Sequence, residues 1–337
     1  RRILFAGKKT PDDLWNIYEL ILETGETRQI TRDMGNCRTP IYLSLLYTIV
    51  SNRNWFPIAF VSDMENGWNE STLAPATSLY TCLLDGTGLQ RLSYNLSSES
   101  YPFLKENGRI LMSSWQAAAD HHGVTGRAGL FGINLDGTDY AQYIADQGRR
   151  VKHMACETNG GLVVFIESDQ APWDGAGQVA TVSIRRPLYT HRALTSESDG
   201  MFHSPSPLAD GRVLISRRPA DGDGPHGVYV LTPESGQYEL FYDDPRYHDL
   251  HAVAVQPRPR PVTPGDALCQ LCLLEPLPGP AAPLWRPGDH SPGTQWHGQL
   301  RQRPPARTRP GHRLPPGWRR HRHPARHFRL RLQIVPV

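Results

Sequence analysis

The chain has 337 residues, 39% of them apolar, with 36 Lys plus Arg against 33 Asp plus Glu and a formal net charge of +3. That length holds one large or two ordinary domains. No stretch approaches the roughly 18 consecutive apolar residues of a membrane helix, and five scattered cysteines are too few for a disulfide framework.

The charge is unevenly spread. Residues 1–256 carry 22 Lys plus Arg against 30 Asp plus Glu, whereas 257–337 carry 14 Arg, no Lys and three acids. The same tail holds 17 of the 30 prolines and 6 of the 14 histidines. So sharp a change in composition predicts a folded unit over residues 1–261 and a separate Pro/Arg-rich segment over 262–337.

The chain opens on Arg1-Arg2-Ile3-Leu4-Phe5-Ala6, which already reads as strand. It has neither an initiator Met nor a signal peptide, so a fragment of a longer protein is expected. The Trp15-Asn16-Ile17-Tyr18-Glu19-Leu20 strand then runs into a turn at Thr24-Gly25 and closes with Arg28-Gln29-Ile30-Thr31. A second unit contains Leu46-Tyr47-Thr48-Ile49-Val50, Ile58-Ala59-Phe60-Val61 and Leu79-Tyr80-Thr81-Cys82-Leu83-Leu84 before Asp85-Gly86, with residues 62–78 a polar insertion on one rim.

A third unit begins at Asn107-Gly108-Arg109-Ile110-Leu111 and repeats the phrase as Leu130-Phe131-Gly132-Ile133 before Asp136-Gly137. Asp139–Ile144 fits either one helical turn or an outer strand. A fourth unit holds Leu162–Ile166 and Val179–Ile184. A fifth runs from Asp210-Gly211-Arg212, a near copy of the 107 phrase, to Leu240, with Val228-Tyr229-Val230-Leu231 before Ser235-Gly236. His251–Val255 starts a sixth. Short alternating strands at about fifty-residue intervals, each pair joined by a Gly turn with φ > 0, predict an all-β propeller of six blades, the sixth of which this chain need not complete.

The Trp15 phrase with Thr24-Gly25-Glu26-Thr27-Arg28-Gln29-Ile30-Thr31 resembles TolB-type β-propeller repeats. More narrowly, that phrase, Ser204-Pro205-Ser206-Pro207-Leu208-Ala209-Asp210-Gly211-Arg212 and Ala252–Pro261 are similar to the middle propeller of the hydrazine synthase alpha subunit family. The resemblance covers about residues 1–261. It implies an exported protein, periplasmic or of the cell envelope, whose propeller is a scaffold contacting protein domains or subunits. In that family the redox chemistry belongs to covalently attached c-type haem, which needs Cys-x-x-Cys-His. Here Cys269-Gln270-Leu271-Cys272 is followed by Leu273, so no cofactor is expected in this fragment, and haem c only in a full-length parent.

Site chemistry is sparse. Zinc at Cys269 and Cys272 would need two further ligands, and the spacing to His290 and His297 fits no familiar finger. Asp120-His121-His122 is placed on a loop after Trp115, and His203 and His226 in neighbouring blade loops. Loops at one propeller mouth converge, and an Asp beside a His can orient the imidazole, so His248, Asp249 and His251 are the first candidates for a metal site. The plainer reading is that all these groups are surface loop polars. Neither Gly-x-Ser-x-Gly nor a phosphate-binding Gly-rich loop occurs, so catalysis by this fragment is not expected; part of a haem- or metal-dependent oxidoreductase is the alternative. Arg319-Arg320-His321-Arg322-His323 beside Trp318 and Phe328 gives a further alternative, nucleic-acid binding. Arg without Lys is equally what a GC-rich gene yields after a frame change near residue 262; otherwise the tail is a disordered basic segment.

Overall fold

The computed structural model describes residues 2–43, 57–69, 74–120, 123–170, 172, 174–221, 224–255 and 334–335. Within them the secondary structure is β throughout, apart from one 3-10 turn at Glu197–Asp199. The Leu46–Val50 strand, His121-His122 and, apart from Ile334–Val335, the tail over 262–337 with its Cys269/Cys272 pair and Arg319–His323 cluster lie outside the described residues.

The strands fall into consecutive up-and-down sheets. A three-stranded sheet holds β1 (Arg2–Gly7), β2 (Asn16–Ile21) and β3 (Thr27–Gln29). The next holds β4 (Arg38–Tyr42), β5 (Pro57–Ser62), β6 (Ser78–Leu83) and β7 (Gln90–Arg91). The third comprises β8 (Glu99–Leu104), β9 (Ile110–Asp120), β10 (Gly123–Ile133) and β11 (Ala141–Gln142). The fourth comprises β12 (Val151–Glu157), β13 (Leu162–Ser168), β14 (Gln178–Ser183) and β15 (Arg192–Ala193), joined to the third by one parallel bridge, Ala128 to Val151. The fifth has β16 (Met201–Pro207), β17 (Val213–Arg218), β18 (Gly227–Thr232) and β19 (Gln237–Tyr242). Then comes β20 (Val253–Ala254), paired in parallel with β21 (Ile334–Val335).

The first strands of successive sheets, β4, β8, β12, β16 and β20, touch one another in turn, which places them around a shared axis. The fourth strands β7, β11 and β15 have two residues each, whereas β19 has six and exposes Leu240, Phe241 and Tyr242 at an outer edge. In such a blade the second-to-third and blade-to-blade connections emerge at one end, here called the upper face. Ala141–Gln142 is an outer strand, which resolves the ambiguity at Asp139–Ile144.

Both faces of every central strand are buried, so the period of two assigns alternate residues to two different interfaces. On β5, Ile58 and Phe60 pack with Ile17, Ile30 and Tyr80 toward the first blade. Ala59 and Val61 pack with Leu92, Ile110 and Met112 toward the third. The pattern repeats between blades three and four around Phe165 and Leu130, and between four and five around Val164, Phe202 and Ile215. Burying such a side chain contributes about 1.5–3 kcal/mol. Cys37, Cys82 and Cys156 are reduced and buried in these layers, and burial pushes the Cys37 thiol up to about 11 and Cys82 up to about 12.

The recurring sequence phrase has a physical function. In three of the sheets the hydroxyl residue just after the outer strand accepts a backbone N–H from the strand beside it: Thr31 Oγ1 from Ile17 at 2.8 Å, Ser93 Oγ from Leu79 at 2.9 Å and Thr195 Oγ1 from Val179 at 2.9 Å. After each of these three sheets, the hairpin glycine of the following blade abuts the carbonyl just before that hydroxyl residue. A Cβ on Gly86 would stand 2.5 Å from Ile30 O; on Gly137 or Gly236 it would stand 3.0 Å from Leu92 O or Leu194 O. Gly86 also has φ +82°, in the region that favours glycine. Gly25, at φ +71°, faces nothing within 4 Å. Gly86→Ala is therefore expected to destabilise by roughly 2–4 kcal/mol and Gly25→Ala by only about 1 kcal/mol; urea unfolding of the two variants checks the difference.

Glu99, fully buried at the head of β8, ties the third blade to the second. Its Oε2 accepts from Leu79 N at 3.3 Å and from the Ser93 hydroxyl. Burial pushes this carboxyl up to about 7, against the lowering effect of the hydrogen bonds from Ser93 and Tyr140. A carboxyl raised on folding favours the native state most below its ordinary value of 4.5, and that advantage disappears as pH rises through 7. Relative to Glu99→Gln, the parent chain is expected to lose on the order of 3 kcal/mol over that window. Parallel pH-dependent unfolding curves for the two chains would contradict the assignment.

Candidate functional site

A backbone irregularity recurs where the first strands line the axis. Each carries a bulge whose residue lies at φ > 0 although it is not glycine: Thr39 at 47°, Tyr101 at 52°, Met154 at 54° and Ser204 at 52°. The register of β4, β8, β12 and β16 against its neighbour shifts at these points. His251, at 57°, occupies the corresponding position just before β20. In three of the five the next residue is proline: Pro40, Pro102 and Pro205. Pro disfavours the right-handed helical region for the residue before it, and a bulge re-aims the side chains on either side. Each such residue costs on the order of 1–3 kcal/mol in strain, which the packing of the ring must offset.

The re-aimed side chains form a linked cluster on the upper face. The Tyr101 and His153 rings meet edge to face at 5.6 Å. Ser204 N donates to Met154 Sδ at 3.4 Å. The Ser204 hydroxyl bonds His203 Nδ1 and lies 3.2 Å from His251 Nδ1. His203 also packs its ring on His251 at 5.2 Å and on His226 at 6.1 Å. His226 Nδ1 lies 2.9 Å from His248 Nδ1, while its Nε2 stands 3.2 Å from Asp174 Oδ2. With the His226 proton on Nε2, toward Asp174, its Nδ1 accepts from His248.

Asp174, on the β13–β14 connection, anchors the cluster. Arg218, at the end of β17, reaches it through Nε at 2.6 Å and Nη2 at 3.4 Å, and Ala176 N donates to Oδ1 at 3.0 Å. Burial acting alone would raise this carboxyl, but hydrogen bonds from His226 and Arg218 hold it well below the usual carboxylate range. Burial pushes His153 down to about 4. Burial together with the neighbouring His251, His153 and His226 holds His203 well below the ordinary imidazole value. His153 and His203 are therefore neutral, and Arg218 with Asp174 is a firm charge pair.

This geometry revises several sequence expectations. His203 lies in strand β16 and is 3% exposed, and His226, beside β18, is fully buried, so neither is a surface loop polar. The interrupted alternation around the bulges hides their burial from a periodicity reading. Asp120 ends strand β9, not a loop, because the β9–β10 hairpin is eleven residues deep on each side; His121 and His122 lie outside the described residues. His248, Asp249 and His251 do not share a centre. His248 faces His226, the Asp249 carboxylate accepts from Asp244 N at 2.9 Å, and His251 faces Ser204. Among the described residues, no group of three or more His, Cys, Asp and Glu converges as a metal's ligand set. Sequence reasoning missed Asp174, Arg218 and His153; the Tyr-Pro and Ser-Pro pairs at 101 and 204 were the available signal for the bulges.

The class is thus all-β, a propeller whose upper mouth is lined by strained first strands. No family model matches the chain. Its sequence is 27% identical to hydrazine synthase subunit alpha of Kuenenia stuttgartiensis, an alignment covering 77% of this chain and 38% of that protein. The solved Kuenenia stuttgartiensis hydrazine synthase superposes with a TM-score of 0.61 at 25% identity, over 74% of this chain and 38% of that one. TolB of Acinetobacter baumannii is similar at a TM-score of 0.48 and 14% identity, covering 70% of this chain and 50% of that one. The resemblance to the hydrazine synthase alpha subunit therefore holds by sequence and by structure, and the chain spans well under half of that relative's length.

Removing one partner of the buried Arg218–Asp174 pair strands the other charge. Arg218→Ala and Asp174→Ala are each expected to destabilise by roughly 3–5 kcal/mol, with the double variant well short of their sum. Chemical denaturation of all three reads this coupling, and additive losses would count against it.

Proposed function

We propose that this chain is the propeller of a larger protein resembling the hydrazine synthase alpha subunit, and that it acts there as a non-catalytic scaffold. Its upper face receives a neighbouring domain or subunit of the same assembly. The observation that carries this reading is an exposed apolar trio at that face. Trp68 is 68% exposed, Tyr94 73% and Leu96 75%. Trp68 stands on the second-to-third connection of the second blade, and Tyr94 and Leu96 on the connection to the third. The two connections are tied together by Asn69 Nδ2 donating to Ser98 Oγ at 2.9 Å. Aromatic anchors held on a rigid support are what protein interfaces favour.

The cluster beneath favours the same reading. The Ser204 hydroxyl is held between His203 and His251, and the Asp174 carboxylate by Arg218, whereas a nucleophile needs a base that is free to take its proton. The relative is named as a subunit, hence part of an assembly. An exported, periplasmic or envelope location belongs to this proposal, and among the described residues no helix is long and apolar enough to cross a membrane. The metal reading at His248, Asp249 and His251 would require all three to leave their present partners.

The test places a photo-crosslinking residue at Tyr94 in the protein as purified from its own cells. Expected is a crosslink to another domain or subunit, while the same probe at Tyr189, on the opposite face, gives none. Equal crosslinking at both positions, or none at Tyr94, would overturn the docking role.

A further inference from the structure

The three hydroxyls that accept a third-strand N–H also donate, and their acceptors differ. Thr31 Oγ1 donates to Asn16 Oδ1 at 3.2 Å and Thr195 Oγ1 to Gln178 Oε1 at 2.8 Å. Both acceptors are amides, which do not titrate, and each precedes the residue whose N–H the same hydroxyl accepts. In the second blade that position is Ser78, at the start of β6. There the Ser93 hydroxyl donates to Glu99 Oε2, supplied by the next blade. Of the three caps, this one alone ends on a group that can change charge.

The exception lies at the base of the docking face. Ser93 and Glu99 bracket the connection between β7 and β8, so their bond closes it as a clasp, with the exposed Tyr94 and Leu96 inside. Asn95 Nδ2 ties the middle of this loop to Ser114 Oγ at 2.7 Å and to Trp115 O at 3.1 Å. Glu99 is fully buried and Ser93 is 1% exposed. Two charged or titratable groups bear on the carboxyl. Arg91 on β7 favours its ionised form, but the guanidinium is engaged with Ser93 O, Ser78 Oγ and Glu65 at 2.7, 3.0 and 3.8 Å. Tyr140, on the β10–β11 connection, bonds Ser114 Oγ at 2.7 Å and is kept neutral by burial and by Glu99.

A neutral carboxyl suits this place better than an ionised one. A buried charge without a dedicated cation is costly, and it regains hydration only if an element bonded to it moves away. Strands β6 and β8 are fixed within their sheets, whereas the loop between Ser93 and Glu99 is held at Asn95 by a side chain. We propose that the Ser93–Glu99 clasp is a pH-responsive hinge, closed while Glu99 is neutral and opened by its ionisation, which governs how firmly Tyr94 and Leu96 are presented. Burial raises that carboxyl from 4.5 to about 7, so the closed form dominates below that value and opening grows above it. The control of docking rests on the role proposed above; the hinge itself does not.

Hydrogen–deuterium exchange of the full chain at pH 6 and pH 8, corrected for the intrinsic pH dependence of exchange, tests the hinge. A carboxyl at 4.5 in the open state and about 7 in the closed one gives about a tenfold rise in opening over that interval. Amides over 93–98 should therefore lose about tenfold in protection, while those around the Thr195–Gln178 cap should not change. Glu99→Gln, which supplies the amide found at the other two caps, should make 93–98 equally protected at both pH values. Ser93→Ala should leave them poorly protected at both. An unchanged 93–98 segment in the parent chain, a loss shared by the Thr195 cap, or a pH response that survives Glu99→Gln would each overturn the proposal. Should Glu99→Gln fail to fold, a tenfold response retained in Ser93→Ala would overturn it equally. Crosslinking from Tyr94 should weaken between pH 6 and pH 8; its absence at both, with exchange still responding, would overturn the docking role and leave the hinge standing.

Discussion

Everything in this molecule depends on sheets that bury both faces against their neighbours. A blade with one wet face would show clean alternation between apolar and polar residues. These central strands instead read as continuous apolar runs, with all six residues of Pro57–Ser62 buried. Close contact must then extend to the rim, where backbone meets backbone. Only a residue without a side chain fits there, which is why Gly86, Gly137 and Gly236 each face a carbonyl of the preceding blade. The adjacent hydroxyl cap satisfies a third-strand N–H that the short outer strand does not reach.

The same packing makes the strained first strands possible. Left-handed Tyr101, Met154 and Ser204 would not persist in an isolated hairpin. Here each is fixed by the blade on either side, and each bulge is connected to the next: Tyr101 to His153, Met154 to Ser204, Ser204 to His251. The histidine cluster is therefore a property of the ring and not of any single blade. Burial keeps the His153 and His203 imidazoles neutral and makes the Arg218–Asp174 pair strong, provided that both members are present.

How much of this could be read in the amino-acid order differs sharply by strand. The second and third strands, and the outer strands after Gly25 and Gly86, are legible, because their apolar runs and Asp-Gly or Thr-Gly turns follow simple periodicity. So are the φ > 0 positions of Gly108 and Gly211, at 81° and 90°. The first strands β8, β12 and β16 are not. Glu99-Ser100-Tyr101-Pro102 and His203-Ser204-Pro205 look like loop, since polar residues and prolines occupy positions that a bulge, not a ladder, defines. The histidines at 203 and 226 read as surface polars for the same reason. Asp174 and Arg218 are forty-four residues apart and belong to different blades, so no local pattern links them.

That difference explains why the fold speaks more plainly than the function. Apolar burial is proportional to area and leaves a periodic trace in the chain. A polar cluster is specified by pairwise geometry among residues that sequence keeps distant. In this protein the polar groups at the mouth mostly satisfy one another, which uses them up as chemistry and turns them into structure.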